Sequence, residues 1–274
     1  MSSSSQMLSL SQKCQGAICV LAFLLCLLPT ATNAQTLRVA AAADLQFVLP
    51  ELVTQYEKES GVKLQITYGS SGNFSAQVQN GAPFDIFFSA DISYPDALVK
   101  NGFAEPAGVY RYGVGRIVLW VPADSPIEAA RLGWDSLLQA SVQKIAIANP
   151  QHAPYGRAAR AALENAGLLE RVKSKLVFGE NISQTAQFVQ SGNAQIGIVA
   201  LSLALSPAMS SGKRWEIPVD SYPPLVQAAV VLKNCPNKIA ADKFIGFLKT
   251  ETARATLLRF GFSQPLATRA EPSR

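Results

Sequence analysis

The strand-to-helix junction around Asp44 is the sequence feature that most limits what this chain can fold into. Residues 37–43 are, apart from Arg38, apolar and mostly small, a pattern that predicts a buried strand. After Asp44, apolar residues recur with helical spacing as far as Tyr56, and Gly61 provides a stop. Pro50 lies inside this pattern, so the helix either begins late or is kinked in its first turns. Because the first N–H groups of a helix lack partners within it, the junction predicts a turn that attracts anions.

Four later segments place a loop between a predicted strand and a predicted helix in the same way. In the first of them, two glycines flank two serines, which allows close approach of the backbone to a ligand and adds hydroxyl donors. An ordinary turn with a serine N-cap is the alternative interpretation of that loop. The four segments are the loop at 69–73, the turn after a strand at 85–90, the loop at 150–156 before a helix at 157–166, and the loop at 179–183.

The turn after the strand at 85–90 carries two acidic residues, Asp91 and Asp96. Ser93 lies between them and is a candidate N-cap for the helix that ends at Gly102. We interpret both carboxylates as charges that favour the start of this helix.

Strands and helices alternate along the chain, which predicts an α/β fold with mainly parallel sheets. The strands near Arg116 and Val226 are candidates for the crossings between two lobes. We then expect one lobe from residues 35–113 plus 222–274 and the other from residues 114–221, each a mainly parallel sheet flanked by helices. Ligands of such folds bind beyond the carboxyl ends of the strands, and all five junctions lie at such ends.

Residues 1–34 have the composition of a secretory signal peptide. Lys13 precedes an unbroken apolar segment at 17–28, Pro29 follows it, and small residues lead up to Ala34, the predicted cleavage site. The apolar segment is too short to cross a bilayer, which needs about 20 residues. We therefore expect a mature protein in the periplasm. Cys235 is the one cysteine outside the signal peptide, so no intrachain disulfide is expected and the fold must rest on apolar cores.

The charge and the motif content exclude several classes of function. The net charge is +5, but the basic residues are scattered without interleaved aromatics, so nucleic acid is not an expected partner. The only histidine is His152, and no Gly-x-Ser-x-Gly motif accompanies it, which argues against a serine hydrolase. Zinc ligands and nucleotide-binding glycine motifs are also missing from the sequence. The chain is therefore expected to bind a solute rather than to be an enzyme, and His152 is expected to have a structural role.

Six segments, taken in order and at their separations, resemble the periplasmic molybdate-binding proteins of ABC importers. The resemblance extends from about Leu37 to Phe262, and the Gly-Ala-Pro and His-Ala-Pro-Tyr-Gly segments are its most specific parts. The segments are Ala-Ala-Ala-Asp-Leu at 41–45, Gly-Ser-Ser-Gly at 69–72, Gly-Ala-Pro-Phe-Asp-Ile-Phe-Phe-Ser-Ala-Asp at 81–91, Asn-Pro-Gln-His-Ala-Pro-Tyr-Gly at 149–156, Gly-Ile-Val at 197–199 and Leu-Leu-Arg-Phe-Gly-Phe at 257–262.

The resemblance implies a two-lobed trap that closes on a tetrahedral dianion, molybdate and also tungstate, and hands it to a membrane ABC permease. It implies a monomer without a cofactor, the oxyanion being the only ligand. Members usually carry Ser, Thr or Asn where this chain has Asp44, and some use a tyrosine where this chain has Ala200. The ligand-binding residues carried over by the resemblance are Asp44, Leu45, Ser70, Ser71, Ala90, Tyr155 and Ile182.

Asp44 conflicts with a dianion as the ligand. A carboxylate about 4 Å from a dianion is repelled by about 8 kcal/mol at an effective dielectric constant of 20. Either the carboxylate turns away to cap the next helical turn and Asp44 offers only its N–H, or the ligand carries a proton. We expect the first case, in which Asp44→Ser preserves affinity and binding varies little between pH 6 and 8.

Two other classes of function stay open at this point. The first is capture of a different solute: sulfate, a phosphate-like oxyanion, or a ferric ion held by Tyr155, His152 and Asp44. The second is an α/β hydrolase that uses Asp44 and His152, which no nucleophile motif supports.

Overall fold

The computed structural model describes residues 36–265, so the predicted signal peptide at 1–34 and the end of the chain lie outside the described residues. Ten strands lie within the described part. They are β1 (Thr36–Ala42), β2 (Lys63–Gly69), β3 (Ile86–Ser89), β4 (Tyr110–Gly115), β5 (Ile117–Val121), β6 (Ile145–Ala148), β7 (Leu176–Gly179), β8 (Ile196–Ala200), β9 (Lys213–Glu216) and β10 (Leu225–Val231).

Ten α-helices connect or flank these strands between residues 36 and 265. They are α1 (Val48–Ser60), α2 (Ser71–Gln79), α3 (Ser93–Lys100), α4 (Ala129–Leu132), α5 (Pro154–Asn165), α6 (Leu169–Val172), α7 (Ile182–Gln190), α8 (Leu201–Ala204), α9 (Lys238–Phe247) and α10 (Glu251–Arg259). Short 3₁₀ turns add to them at Ala43–Leu45, Pro106–Gly108, Gly133–Leu138, Lys173–Lys175 and Val219–Ser221.

The strands form two five-stranded sheets, which confirms the two-lobed α/β class. The first sheet has the order β2-β1-β3-β10-β4, and the second has the order β7-β6-β8-β5-β9. In each sheet the first three strands are parallel and the other pairings are antiparallel, so the sheets are mixed. The antiparallel strands include those next to the points where the chain changes sheet, between β4 and β5 and between β9 and β10. The predicted lobe limits, 35–113 plus 222–274 and 114–221, stay predictions.

The first lobe packs helix α1 onto its sheet through the apolar face predicted from the sequence. Val48, Leu49 and Leu52 are almost completely buried in a core that also contains Phe88 and Phe244. Helix α1 begins late, at Val48, so its proline falls in the first turn, where the missing N–H has no carbonyl to bond. The helix ends at a glycine with φ 72°, as predicted.

Strand β4 was not predicted from the sequence, and two helices begin at other residues than predicted. The sequence of β4 is Tyr-Arg-Tyr-Gly-Val-Gly, and its two glycines hide the alternation that marks a strand. Ser93 is not an N-cap: it is the first residue of α3, and Asp91 accepts a hydrogen bond from the Ser93 N–H at 2.8 Å instead. Helix α5 begins at Pro154 rather than at Arg157, because proline is well suited to the first position of a helix.

Candidate functional site

One small pocket lies where the junctions after β1, β2 and β3 of the first lobe meet those after β6 and β7 of the second. Its empty volume is about 190 Å³ including the open mouth. Leu45 is the one proposed site residue that does not line the pocket, and its side chain packs in the core of the first lobe. The proposed site residues that line it are Asp44, Ser70, Ser71, Ala90, Tyr155 and Ile182.

Helices α2 and α7 both begin at this pocket, and the side chain that caps each helix accepts hydrogen bonds from N–H groups of its first turn. In α7, the Asn181 side chain accepts from the N–H groups of Ser183 and Gln184, each at 3.0 Å, which leaves that of Ile182. In α2, the Ser70 hydroxyl accepts from the N–H of Asn73 at 3.4 Å.

Two more N–H groups are left at the pocket, that of Ser71 at the start of α2 and that of Tyr155 at the start of α5. The Gly72 N–H of α2 donates to the carbonyl of His152 in the other lobe at 2.9 Å, which leaves the N–H of Ser71. Helix α5 starts with Pro154, which has no N–H, so Tyr155 supplies the first amide donor of that helix. Three helix starts therefore each leave one backbone donor at the pocket, from Ser71, Tyr155 and Ile182.

The Ser71 side chain connects two of the predicted ligand positions. Its Oγ accepts a hydrogen bond from the Ala90 N–H at 3.0 Å, and both residues are buried. The resemblance implies that Ala90 binds the ligand, but in this structure its N–H is paired with Ser71. The Ser71 hydroxyl retains its own proton as a donor.

Asp44 is almost completely buried, with 1% of its surface exposed. Its Oδ2 accepts hydrogen bonds from Tyr155 Oη at 3.0 Å and from Gln227 Nε2 at 2.8 Å. Gln227 in turn accepts from Tyr112 Oη at 2.7 Å. The Oδ1 atom is buried and has no hydrogen-bond partner among the described residues. The expectation that this carboxylate caps the first helical turn is wrong, because the neutral donors on β10 and α5 hold it instead.

The environment of Asp44 favours its protonated form. Burial raises the pKa of Asp44 from 3.8 to about 6, although Gln227, Tyr155 and the backbone N–H of Asp44 itself act in the opposite direction. Burial, followed by the charge of Asp44, also raises the pKa values of Tyr155 and Tyr112 well above the usual range. Both phenols therefore stay neutral donors at every physiological pH.

Polar contacts also join the two lobes through residues that neighbour the pocket lining in the chain. His152 Nδ1 lies 3.0 Å from Ser70 Oγ, so the histidine joins the lobes, in line with its expected structural role. Asn73 of the first lobe donates to Glu180 Oε1 of the second at 2.6 Å. Gly72 is required at this contact, since a Cβ there would lie 2.6 Å from the His152 carbonyl oxygen.

A further contact between the lobes involves Arg157 and Asp91. Arg157 donates to Asp91 Oδ2 at 2.6 Å and to Tyr94 Oη at 2.9 Å. The carboxylate of Asp91 thus serves both the start of α3 and a cation of the other lobe, a second role that its sequence neighbourhood did not reveal.

Comparison with known proteins identifies the family. A family model described as "Bacterial extracellular solute-binding protein" matches residues 37–263. The chain belongs to this family. A molybdate-binding protein of Azotobacter vinelandii is 36% identical over 237 residues, which cover 86% of this chain and 93% of the relative. A molybdate-binding protein of Rhodobacter capsulatus is 36% identical over 226 residues, covering 82% of this chain and 87% of the relative.

The structural comparison agrees with the sequence comparison. The solved structure of a periplasmic molybdate-binding protein from Azotobacter vinelandii matches with a TM-score of 0.79 at 34% identity, and it covers 84% of this chain and 99% of that chain. In a solute-binding protein of this shape, the pocket between the lobes is the candidate position for the solute.

The charge around this solute-binding pocket comes from dipoles rather than from cations. No lysine or arginine is among the residues between 36 and 265 that line it. Within the same range, no three His, Cys, Asp or Glu side chains lie close enough together to hold a metal ion. The helices described there also include none that is long and apolar enough to cross a membrane.

Two further residues, Gln227 and Ser202, contact Asp44 and were not predicted from the sequence. Gln227 is completely buried and is the only polar residue of β10, Leu-Val-Gln-Ala-Ala-Val-Val, a signal that could have marked it. Some members of the resembled family have a tyrosine at the position of Ala200, and Ser202 lies two residues further on. Its Oγ donates to the Asp44 carbonyl oxygen at 2.8 Å, so this junction contacts the other lobe through a serine.

Proposed function

We propose that this protein captures molybdate, and also tungstate, in the pocket between its lobes and delivers the ion to an ABC permease. The observation that carries the proposal is the meeting of three helix starts from both lobes at one pocket, in a chain 36% identical to molybdate-binding proteins. On this proposal the protein acts in the periplasm as a monomer and catalyses no reaction.

The donors at the pocket fit a tetrahedral oxyanion. The N–H groups of Ser71, Tyr155 and Ile182 come from both sides of the pocket, and the Ser71 hydroxyl adds a fourth donor. Helix dipoles aligned in this way hold negative charge without a lysine or arginine. An anion in this position would bond to both lobes at once, so its binding favours the closed arrangement that a permease is expected to recognise.

Thermal unfolding with a panel of ions tests this function. We expect sodium molybdate and sodium tungstate to raise the melting temperature, while sodium sulfate at the same concentration has little effect. A ligand at 100 times its dissociation constant stabilises the fold by about 2.7 kcal/mol, which corresponds to roughly 5–10 °C for a protein of this size. Sodium phosphate and ferric citrate complete the panel.

The outcomes of the panel separate the competing solutes. Equal shifts with sulfate and molybdate would remove the claim of selectivity. If only ferric citrate raises the melting temperature, the oxyanion proposal is wrong. If only phosphate raises it, the ligand is a protonated oxyanion such as hydrogen phosphate and not molybdate.

A further inference from the structure

Asp44 is a buried carboxyl group with only half of its hydrogen-bonding capacity used. The Oδ2 atom accepts from two donors, Tyr155 Oη and Gln227 Nε2. The Oδ1 atom has no partner in the described part of the chain, although Asp44 lines the pocket between the lobes. A buried polar atom without a partner is costly, so this atom is the part of the site that a bound ligand would complete.

The groups packed around Asp44 are all neutral. Helix α5 contributes Tyr155, strand β10 contributes Gln227, and strand β4 contributes Tyr112 behind Gln227. Helix α8 contributes the Ser202 hydroxyl, which donates to the Asp44 backbone carbonyl. Between residues 36 and 265, no charged side chain hydrogen-bonds to Asp44. An ionised Asp44 beside a dianion would therefore face like-charge repulsion that no neighbouring cation offsets.

We propose that Asp44 binds the oxyanion as a neutral carboxylic acid, donating a hydrogen bond from Oδ1 to one oxygen of the ion. This inference rests on the proposed function and specifies how that site holds its anion. In the proton balance, the Asp44 carboxylate takes one proton from solvent when the ion enters, the ion remains a dianion, and the proton returns to solvent on release. No other bond is made or broken.

The hydrogen bonds to Oδ2 determine which oxygen carries the proton. Both donors point to Oδ2, so this atom is held as an acceptor, and a protonated carboxyl group has only one O–H to donate. The proton therefore belongs on Oδ1, the atom without a partner. An asparagine at position 44 would reproduce this pattern permanently, with its oxygen facing Tyr155 and Gln227 and its NH₂ replacing the O–H.

The proton is available near neutral pH, because burial raises the pKa of Asp44 to about 6. If only the protonated form is competent, the apparent dissociation constant increases as the protonated fraction falls. At pH 7 about one molecule in ten is protonated, and at pH 8 about one in a hundred. Affinity for molybdate is then expected to fall about tenfold per pH unit above pH 7, which replaces the expectation of constant binding between pH 6 and 8.

Isothermal titration of the full-length mature protein with sodium molybdate tests the proposal. At pH 8, in two buffers of different protonation enthalpy, the wild type should take up about one proton per ion bound. Asp44→Asn should take up none, and its affinity should be constant from pH 5 to 8. At pH 8 the variant should bind molybdate about 100-fold more tightly than the wild type. Asp96→Asn, an exposed carboxylate on α3, is the matched control and should behave as the wild type.

Each outcome decides the proposal. Binding by the wild type without proton uptake overturns it and leaves the proposed function intact. Loss of binding in a folded Asp44→Asn places the proton on the ligand and overturns it as well. If no heat of binding is seen for any protein at any pH, the proposed function fails and the inference fails with it. If Asp44→Asn does not fold, the pH profile of Tyr155→Phe decides, because the Tyr155 hydroxyl donates to Asp44 Oδ2: a higher midpoint for loss of binding supports the proposal, and an unchanged or lower one overturns it.

Discussion

The first sheet has one buried carboxyl group at each end of its parallel strands, and the two groups have different hydrogen-bond partners. Asp85 precedes β3 at the amino end of the parallel strands, and Asp44 follows β1 at the carboxyl end. Each has only 1% of its surface exposed. Asp85 accepts hydrogen bonds from the Arg38 backbone N–H at 2.7 Å and from the Arg38 guanidinium at 3.0 and 3.2 Å. Asp44 has two neutral donors and one oxygen without a partner.

The difference shows which carboxyl group serves the fold and which serves the ligand. At Asp85 a cation and a backbone donor compensate the buried charge, so the group connects β1 to the start of β3. At Asp44 no cation is supplied, and burial raises the pKa toward neutrality. A buried group left incomplete in a pocket is typical of a functional position, whereas a fully paired group is typical of a structural one.

The largest expected effect is on stability and comes from Asp44→Asn. The pKa of Asp44 is raised from 3.8 to about 6 in the fold, so the folded protein holds this proton more tightly than the unfolded chain. The bound proton stabilises the fold by about 3 kcal/mol. This stabilisation is fully present below pH 4 and is lost as the pH rises through 6. Asp44→Asn, which cannot ionise, should therefore be more stable than the ligand-free wild type by about 3 kcal/mol at pH 8.

Urea unfolding at pH 8 and at pH 4 measures this difference. The advantage of Asp44→Asn should shrink toward zero at the lower pH, where the wild-type carboxyl is protonated as well. A variant that is less stable than the wild type at pH 8 would show that Asp44 is a structural charge like Asp85.

Asp85→Asn should change the free energy of unfolding in the opposite direction, by destabilising the fold. Replacement of the carboxylate removes charge-assisted hydrogen bonds from Arg38, and bonds to charged groups are worth about 1.5–3 kcal/mol. We expect the free energy of unfolding to fall by about that amount in urea at pH 8, with molybdate affinity unchanged once the protein is folded. A stabilising effect of Asp85→Asn would remove the contrast between the two ends of the sheet.

Ser71→Ala tests the binding end of the comparison. The substitution removes the hydroxyl donor at the start of α2 and the acceptor of the Ala90 N–H, so molybdate affinity should fall by about 1.5–3 kcal/mol. His152→Ala, whose ring only joins the lobes, should have a much smaller effect. Ser93→Ala on the exposed start of α3 is the control. If calorimetry ranks His152→Ala above Ser71→Ala, the assignment of the site is wrong.

The smallest expected effect is that of Tyr155→Phe on the pH dependence of binding. The Tyr155 hydroxyl donates to Asp44 Oδ2 and so lowers the carboxyl pKa. Its removal should raise the pH at which molybdate binding is half-lost by about 0.5–1 unit, the equivalent of about 1 kcal/mol. A midpoint that moves downward, or does not move, would mean that this hydrogen bond does not control the proton on Asp44.

The position of the pocket could be predicted from the sequence because it depends on local patterns. Each junction was visible as a strand followed by a small or polar turn and a helix, and the carboxyl ends of parallel strands meet at one edge. The loops that contain Ser71, Tyr155 and Ile182 were found in this way, and the resemblance to molybdate-binding proteins singled out the residues themselves. Their roles as first-turn donors follow from Ser70, Pro154 and Asn181, which local sequence also identifies.

The contacts of Asp44 could not be predicted, because they join distant parts of the chain. Tyr155 is 111 positions away and Gln227 is 183 positions away, and no periodicity links either of them to Asp44. A capping role was expected for Asp44 because only its sequence neighbours were considered. In the folded protein its carboxyl group instead accepts hydrogen bonds from these two distant residues. Strand β4, which carries Tyr112 into the same network, was not recognised because of its two glycines. One of them, Gly115, makes room for the Tyr155 hydroxyl, since a Cβ at this position would lie 2.3 Å from that oxygen.

Anomalous diffraction from crystals grown with sodium molybdate tests the central claim most directly. Data collected on both sides of the molybdenum absorption edge locate the metal without reference to any assumed site. We predict one strong peak per molecule, between the lobes, with its oxygens within hydrogen-bond distance of the N–H groups of Ser71, Tyr155 and Ile182 and of Asp44 Oδ1. A peak elsewhere on the protein, or none at saturating molybdate, would contradict the account.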